Sequence, residues 1–154
     1  KIKIKLQNLG VSGGLINAGG DLITWGKNEF GEEWRVGIVD PEKKSKSIAW
    51  LNLENKAVAT SGSYERFAEI NGKKYAHIIH PKTGYPVSGL QSVTIISVDA
   101  ELCDAVATSI FLLGREKGLE FVNRFDDLQC FIVDENDNYY YSDNLKQRAY
   151  EIKN

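Results

Sequence analysis

Several features that would narrow the function of a 154-residue chain are missing from this one. Charge is not massed: 19 Lys and Arg stand against 21 Asp and Glu, a formal net charge of -2, and the basic residues are scattered rather than gathered on one element. The electrostatic footprint of a nucleic-acid binder is therefore absent, and no nucleic-acid partner is expected. The two cysteines, Cys103 and Cys130, lie outside any Cys-x-x-Cys or mixed His/Cys spacing. A zinc site or redox dithiol has no support from them, and both read as buried or half-buried thiols. No apolar run approaches the ~20 residues that span a bilayer. There is no internal repeat and no low-complexity linker.

What is present suits one globular domain with a hydrophobic core: 42% of residues are apolar and 26% charged. Residues 1–9 carry neither a signal-peptide pattern nor a helix-initiating residue, so the chain reads as starting in mid-element, as a truncated or cleaved polypeptide would. A helix leading into a strand is expected there, although the alternation of Lys and Ile over the first five residues also fits a strand. Residues 15–25 predict two short strands around the Gly19-Gly20 pair, and strands follow at 34–39, 47–53 and 57–60, together an antiparallel meander. Ser61-Gly62-Ser63 should break the last of these, and Asn71-Gly72 is the strongest hairpin signal, with 75–79 pairing back on the preceding strand. A β-branched strand at 91–98 precedes a helix capped by Asp99 and ended by Gly114, then a second helix at 116–124. A last hairpin joins 129–133 to 139–141, and the tail from Leu145 is polar. The economical assembly is α+β, a mainly antiparallel sheet with covering helices.

Chemistry concentrates in two stretches. In the 99–114 helix, Asp104 and Thr108 stand four residues apart and project from one face. Apolar neighbours leave little solvent-facing surface there, so Asp104 is expected to be at least partly buried. A buried carboxylate needs a cation, strong donors or protonation. A hard cation with oxygen ligands satisfies it simply, since Mg²⁺ takes one or two carboxylates and keeps positions for phosphates. From spacing alone an exposed seam, or a pairing with a nearby Lys or Arg, is the more ordinary explanation of the residue. In His77-Ile78-Ile79-His80-Pro81-Lys82-Thr83-Gly84-Tyr85-Pro86, the two histidines are three apart in an extended segment and send their rings to opposite faces, so they make poor partners for one metal. The turn that follows can cradle an anion with Lys82, Thr83 and backbone N–H groups, or can be an ordinary connection. The small residues at 17–21 and 60–63 carry the same ambiguity.

Taken in order, Asn17-Ala-Gly-Gly-Asp21, Ala59-Thr-Ser-Gly-Ser-Tyr-Glu-Arg66, the 77–86 run and Asp104-Ala-Val-Ala-Thr108 resemble the ApbE family of FAD:protein FMN transferases. The resemblance implies a Mg²⁺-dependent phosphoryl-type transfer. FAD is split at its pyrophosphate, FMN is attached through its phosphate to a Thr hydroxyl of an acceptor protein, and AMP leaves; some members hydrolyse FAD to FMN and AMP. It implies Asp104 and Thr108 as metal ligands, and His77, Ile78, Ser61, Thr83 and Gly84 along the flavin site, with His77 in proton transfer as our own hypothesis. It also implies a tunnelling-type α/β fold and a setting outside the cytoplasm. Where many members carry Asp in His-Ile-Ile-Asp-Pro, this chain has His80. Members are about twice this length, so residues 1–154 correspond to a single domain forming the C-terminal half. The exposed sheet edges and apolar surface of such a half call for the upstream half or a partner chain, such as a second copy. Two rivals remain: a flavin-binding module without transferase activity, and a hydrolase using Cys103 with His77 or His80.

Overall fold

The computed structural model describes residues 1–41, 43, 46–64, 67–70 and 73–146. A short helix, α1 (Ile2–Asn8), leads into the hairpin β1 (Gly14–Ala18) and β2 (Asp21–Trp25). There follow β3 (Trp34–Val39), β4 (Ser47–Leu53), β5 (Ala57–Gly62), β6 (Phe67–Ile70), β7 (Lys73–Ala76) and β8 (Leu90–Ser97). Helices α2 (Ala100–Leu113) and α3 (Arg115–Val122), strands β9 (Gln129–Asp134) and β10 (Tyr139–Tyr141), and the single turn α4 (Asp143–Lys146) complete the described chain. The Asn71-Gly72 turn and the tail beyond residue 146 lie outside the described residues, although Ile70 opposite Lys73 fixes β6 and β7 as an antiparallel hairpin.

One six-stranded sheet, ordered β1-β2-β5-β8-β9-β10 and antiparallel throughout, carries the fold. The expected meander is corrected at β2, which pairs with β5 instead of β3. The hairpin of β3 and β4 leaves the sheet and packs on it, with Val36, Ile38, Leu51 and Leu53 against Val58, Ile96, Phe131 and Val133. The opposite sheet face takes α2 and α3, whose Cys103, Ala107, Ile110, Phe111 and Val122 meet Ala57, Ala59, Val93, Ile95 and Ile132. Strands β8 and β9 are thus covered on both faces, which is why they are buried along almost their whole length rather than at alternate residues. Two other expectations are corrected. Ser61 and Gly62 do not break β5 but continue it, opposite Val93 and Ser92. Only Tyr75 and Ala76 of the 75–79 stretch pair back on β6, and Ile79 instead bridges Pro86.

Local chemistry accounts for the boundaries that place the site. The Asp99 carboxylate accepts hydrogen bonds from the N–H groups of Glu101 and Leu102 at 2.8 and 3.3 Å, starting α2 where the cap residue stands. Gly114, at φ 76°, ends it and lets α3 begin at once. At the other end of the chain α1 buries none of its residues, and Ile2, Ile4 and Leu9 lie open to solvent.

Candidate active site

Four segments far apart in sequence converge on one cleft of about 430 Å³. The first is the β1–β2 turn. Its Gly19 and Gly20 take φ of 74° and 118°, and the Asn17 Oδ1 accepts the Gly20 N–H at 2.9 Å, so Asp21 enters β2 at the cleft wall. The second is the end of β5, where small residues decide the geometry. Ala57 and Ala59 are fully buried beneath α2, and the Cys103 thiol reaches the Ala57 carbonyl at 3.5 Å. That close approach carries Ser61, two residues further along the same strand face, to 3.0 Å from the Thr108 hydroxyl.

The third contribution is α2 itself. Cys103, Val106, Ala107, Ile110 and Phe111 form its buried face, while Asp104, Thr108 and Leu112, spaced four apart, line the cleft. The expectation of a partly buried Asp104 is corrected: it is exposed. The helix has apolar residues almost all round, yet only one side meets the sheet and α3, and even Leu102 and Leu113 remain over 40% exposed. The fourth is the 77–79 segment, in which Ile78 is anchored in the core while His77 and Ile79 edge the cleft.

The donors are oxygens. Asp21 and Asp104 supply carboxylates, and Ser61, Thr60 and Thr108 supply hydroxyls, a set that suits a hard divalent cation rather than zinc. Among the described residues no three His, Cys, Asp or Glu side chains cluster into a cage of their own. Any cation here would share its coordination with water and a ligand's oxygens, which is how Mg²⁺ is ordinarily held beside phosphates. The field of the cleft is negative: burial raises the pKa of Asp21 above the usual carboxylate value, and the charge of Asp104 raises it further. The residues present therefore fit a divalent cation both in donor type and in charge.

His80, Thr83 and Gly84 do not line this cleft. Their turn closes on itself: His80 N–H donates to the Tyr85 carbonyl, the Gly84 N–H to the His80 carbonyl, both at 2.9 Å, and Thr83 Oγ1 accepts the Tyr85 N–H at 3.3 Å. The His80 Nδ1 accepts the Lys82 N–H at 3.2 Å, a bond of the type an Asp side chain makes two residues ahead of itself, so the imidazole can serve the turn in place of a carboxylate. Asp21, by contrast, was legible only as the end of a glycine bend.

Both thiols are fully buried. Burial, helped by the charges of Asp99 and Asp21, pushes Cys103 up to about 12, against a backbone hydrogen bond at Ser97 and Lys56, which act the other way. Burial alone pushes Cys130 up. Neither is a nucleophile in this state, which removes the cysteine hydrolase. A larger hollow of about 720 Å³ lies near Tyr64, Gln91 and Glu135, but among the described residues it gathers no second acid and shares no lining residue with the cleft.

The ApbE family profile matches residues 1–132. The FAD:protein FMN transferase of Haemophilus influenzae is 34% identical over 137 residues, spanning 87% of this chain and 39% of that protein. The enzyme of the same name from Escherichia coli K12 is 36% identical over 136 residues, with the same two coverages. Among solved structures, the ApbE protein of Thermotoga maritima superposes with a TM-score of 0.80 at 36% identity, covering 88% of this chain and 44% of that one. The Pseudomonas stutzeri flavinyl transferase ApbE gives 0.79 at 27% identity, covering 95% and 46%. The chain spans less than half the length of these relatives. The family profile takes in both major helices and every residue lining the cleft, and on that ground the chain belongs to the ApbE family.

Proposed function

We propose that residues 1–154 are a single domain forming the C-terminal part of an FAD:protein FMN transferase. The observation that carries this is the convergence of Asp21, Ser61, His77, Asp104 and Thr108 on one cleft. Relatives that bear the transferase name align across it.

In this reading the acceptor's Thr hydroxyl oxygen bonds to the phosphorus on the FMN side of FAD. The bridging P–O bond breaks, AMP leaves with the bridging oxygen, and the hydroxyl proton passes to a base. Asp104 and Thr108 would hold Mg²⁺, which when bound neutralises the charge gathering on the diphosphate oxygens. The chain's own residues do the rest. Asp104 and Asp21 make the cleft negative and so select a diphosphate that arrives with its cation. Ile78, fixed in the core, holds His77 at the cleft edge, where its imidazole can take the hydroxyl proton. Thr83 and Gly84, if they touch the flavin, do so from outside the cleft. The resemblance also implies a reaction outside the cytoplasm, which a periplasmic reporter fused to the full-length gene product would check.

The test is to mix the full-length gene product with FAD, Mg²⁺ and a Thr-bearing acceptor, following AMP release and the acceptor's mass. Gain of one FMN per acceptor is expected, with both signals lost in a folded Asp104→Ala variant. AMP without a mass gain would mark a hydrolase, and unchanged AMP release by Asp104→Ala would overturn the site.

A further inference from the structure

We propose that Ser61 is a positioning residue that accepts the hydrogen bond of the Thr108 hydroxyl, so that a Thr108 lone pair is presented to a divalent cation in the cleft. The inference rests on the metal-dependent reading above and adds a residue to it. A hydroxyl that ligates a cation must offer a lone pair and send its single proton elsewhere. Thr108 has two acceptors within reach. One is the Asp104 carbonyl, one turn back in α2, at 3.4 Å. That is long for an O–H···O bond, which is ordinarily about 2.5–3.0 Å. The other is Ser61 Oγ at 3.0 Å, across the interface between β5 and α2.

The choice matters because both contacts are made from the one side-chain position, so the acceptor that takes the hydrogen bond decides which lone pair of Thr108 faces the cleft. Ser61 supplies a partner from a different element. Ser61 is itself fixed, since β5 is paired on both sides of it with β8 and its strand face is drawn against α2 by Ala57 and Ala59. When Thr108 donates to Ser61, the Ser61 proton is left for an acceptor in the cleft, such as an oxygen of a diphosphate. One hydrogen bond thus orients a metal ligand and aims a donor at the anion the metal would accompany.

The experiment measures Mn²⁺ binding to the full-length gene product by electron paramagnetic resonance, with the metal alone as probe. It uses the wild type, Ser61→Ala, Ser61→Thr and Asp104→Ala, with thermal unfolding as the check on folding. Ser61→Ala should weaken Mn²⁺ binding about tenfold. It should raise the Mg²⁺ concentration for half-maximal AMP release by a similar factor, and Ser61→Thr, which keeps the hydroxyl, should restore both. Wild-type Mn²⁺ affinity in Ser61→Ala, with binding lost in Asp104→Ala, overturns the role of Ser61 and leaves the metal site standing. Wild-type affinity in Asp104→Ala overturns both. Failure of Ser61→Thr to restore binding overturns the hydroxyl as the cause.

Discussion

Asp21, the first residue of β2, shares a cleft with Asp104 of α2, and the negative charge of Asp104 adds to burial in raising the Asp21 pKa. Two like charges held together by a folded chain oppose folding unless something positive stands between them. The pair is therefore a local cost in the metal-free protein and an asset once a cation is bound.

Replacing Asp21 with Asn should raise the thermal midpoint of the metal-free protein at pH 7. The sign follows from the direction of the shift. A carboxyl raised in the folded state destabilises above its folded value, and the penalty vanishes as pH falls below the ordinary Asp value of about 3.9. The gain from Asp21→Asn should accordingly disappear in acid. It should also be modest, because Asp21 is only partly buried and water screens the pair. Calorimetry at pH 7 and pH 3.5, with and without Mg²⁺, checks this; a gain that persists unchanged at the lower pH would contradict the electrostatic account.

Much of this was legible before the fold was known, because the signals were local. Asp99 and Gly114 bound α2 through capping chemistry, and Gly19-Gly20 marked the break between two short strands, where the structure turns the chain at positive φ. What stayed hidden was non-local. Alternation predicts that 34–39 and 47–53 are strands, but not that their hairpin would fold over the sheet and let β2 pair with β5. The exposure of Asp104 was misjudged for a related reason: apolar residues around a helix say that it packs, not on how many sides. Thr83 and Gly84 adjoin the histidines in sequence, yet hydrogen bonds close their turn away from the cleft, which no spacing reveals.

His77 separates a positioning role from a catalytic one. If its imidazole takes the acceptor's proton, His77→Gln keeps a polar side chain but removes the base, and kcat should fall by about 10²–10⁴-fold. KM for FAD should change little, and Mn²⁺ affinity should match the wild type, since the metal donors lie on α2. Steady-state AMP release and Mn²⁺ titration on the full-length gene product measure these quantities. A rise in KM with kcat unchanged would make His77 a binding residue instead.

Away from the cleft, the β9–β10 connection makes a second electrostatic forecast of opposite sign. Asp134 is buried, and burial pushes its carboxyl up, but the backbone and side-chain N–H groups of Asn138, the Asn136 N–H and the Tyr140 hydroxyl all donate to it and hold it below the usual range. Tyr140 in turn accepts from Arg115 at 2.7 Å, so the carboxylate ties the start of α3 to the final hairpin. Asp134→Asn leaves some of these donors poorly matched and should cost about 1–3 kcal/mol at pH 7. A carboxyl lowered in the folded state stabilises above its unfolded value of about 3.9, and that stabilisation is lost as pH falls through the lower folded value. The wild type and the variant should therefore converge in acid. Urea unfolding at pH 7 and pH 2.5 checks it: an equal separation at both values would mean that Asp134 acts through packing rather than through its charge.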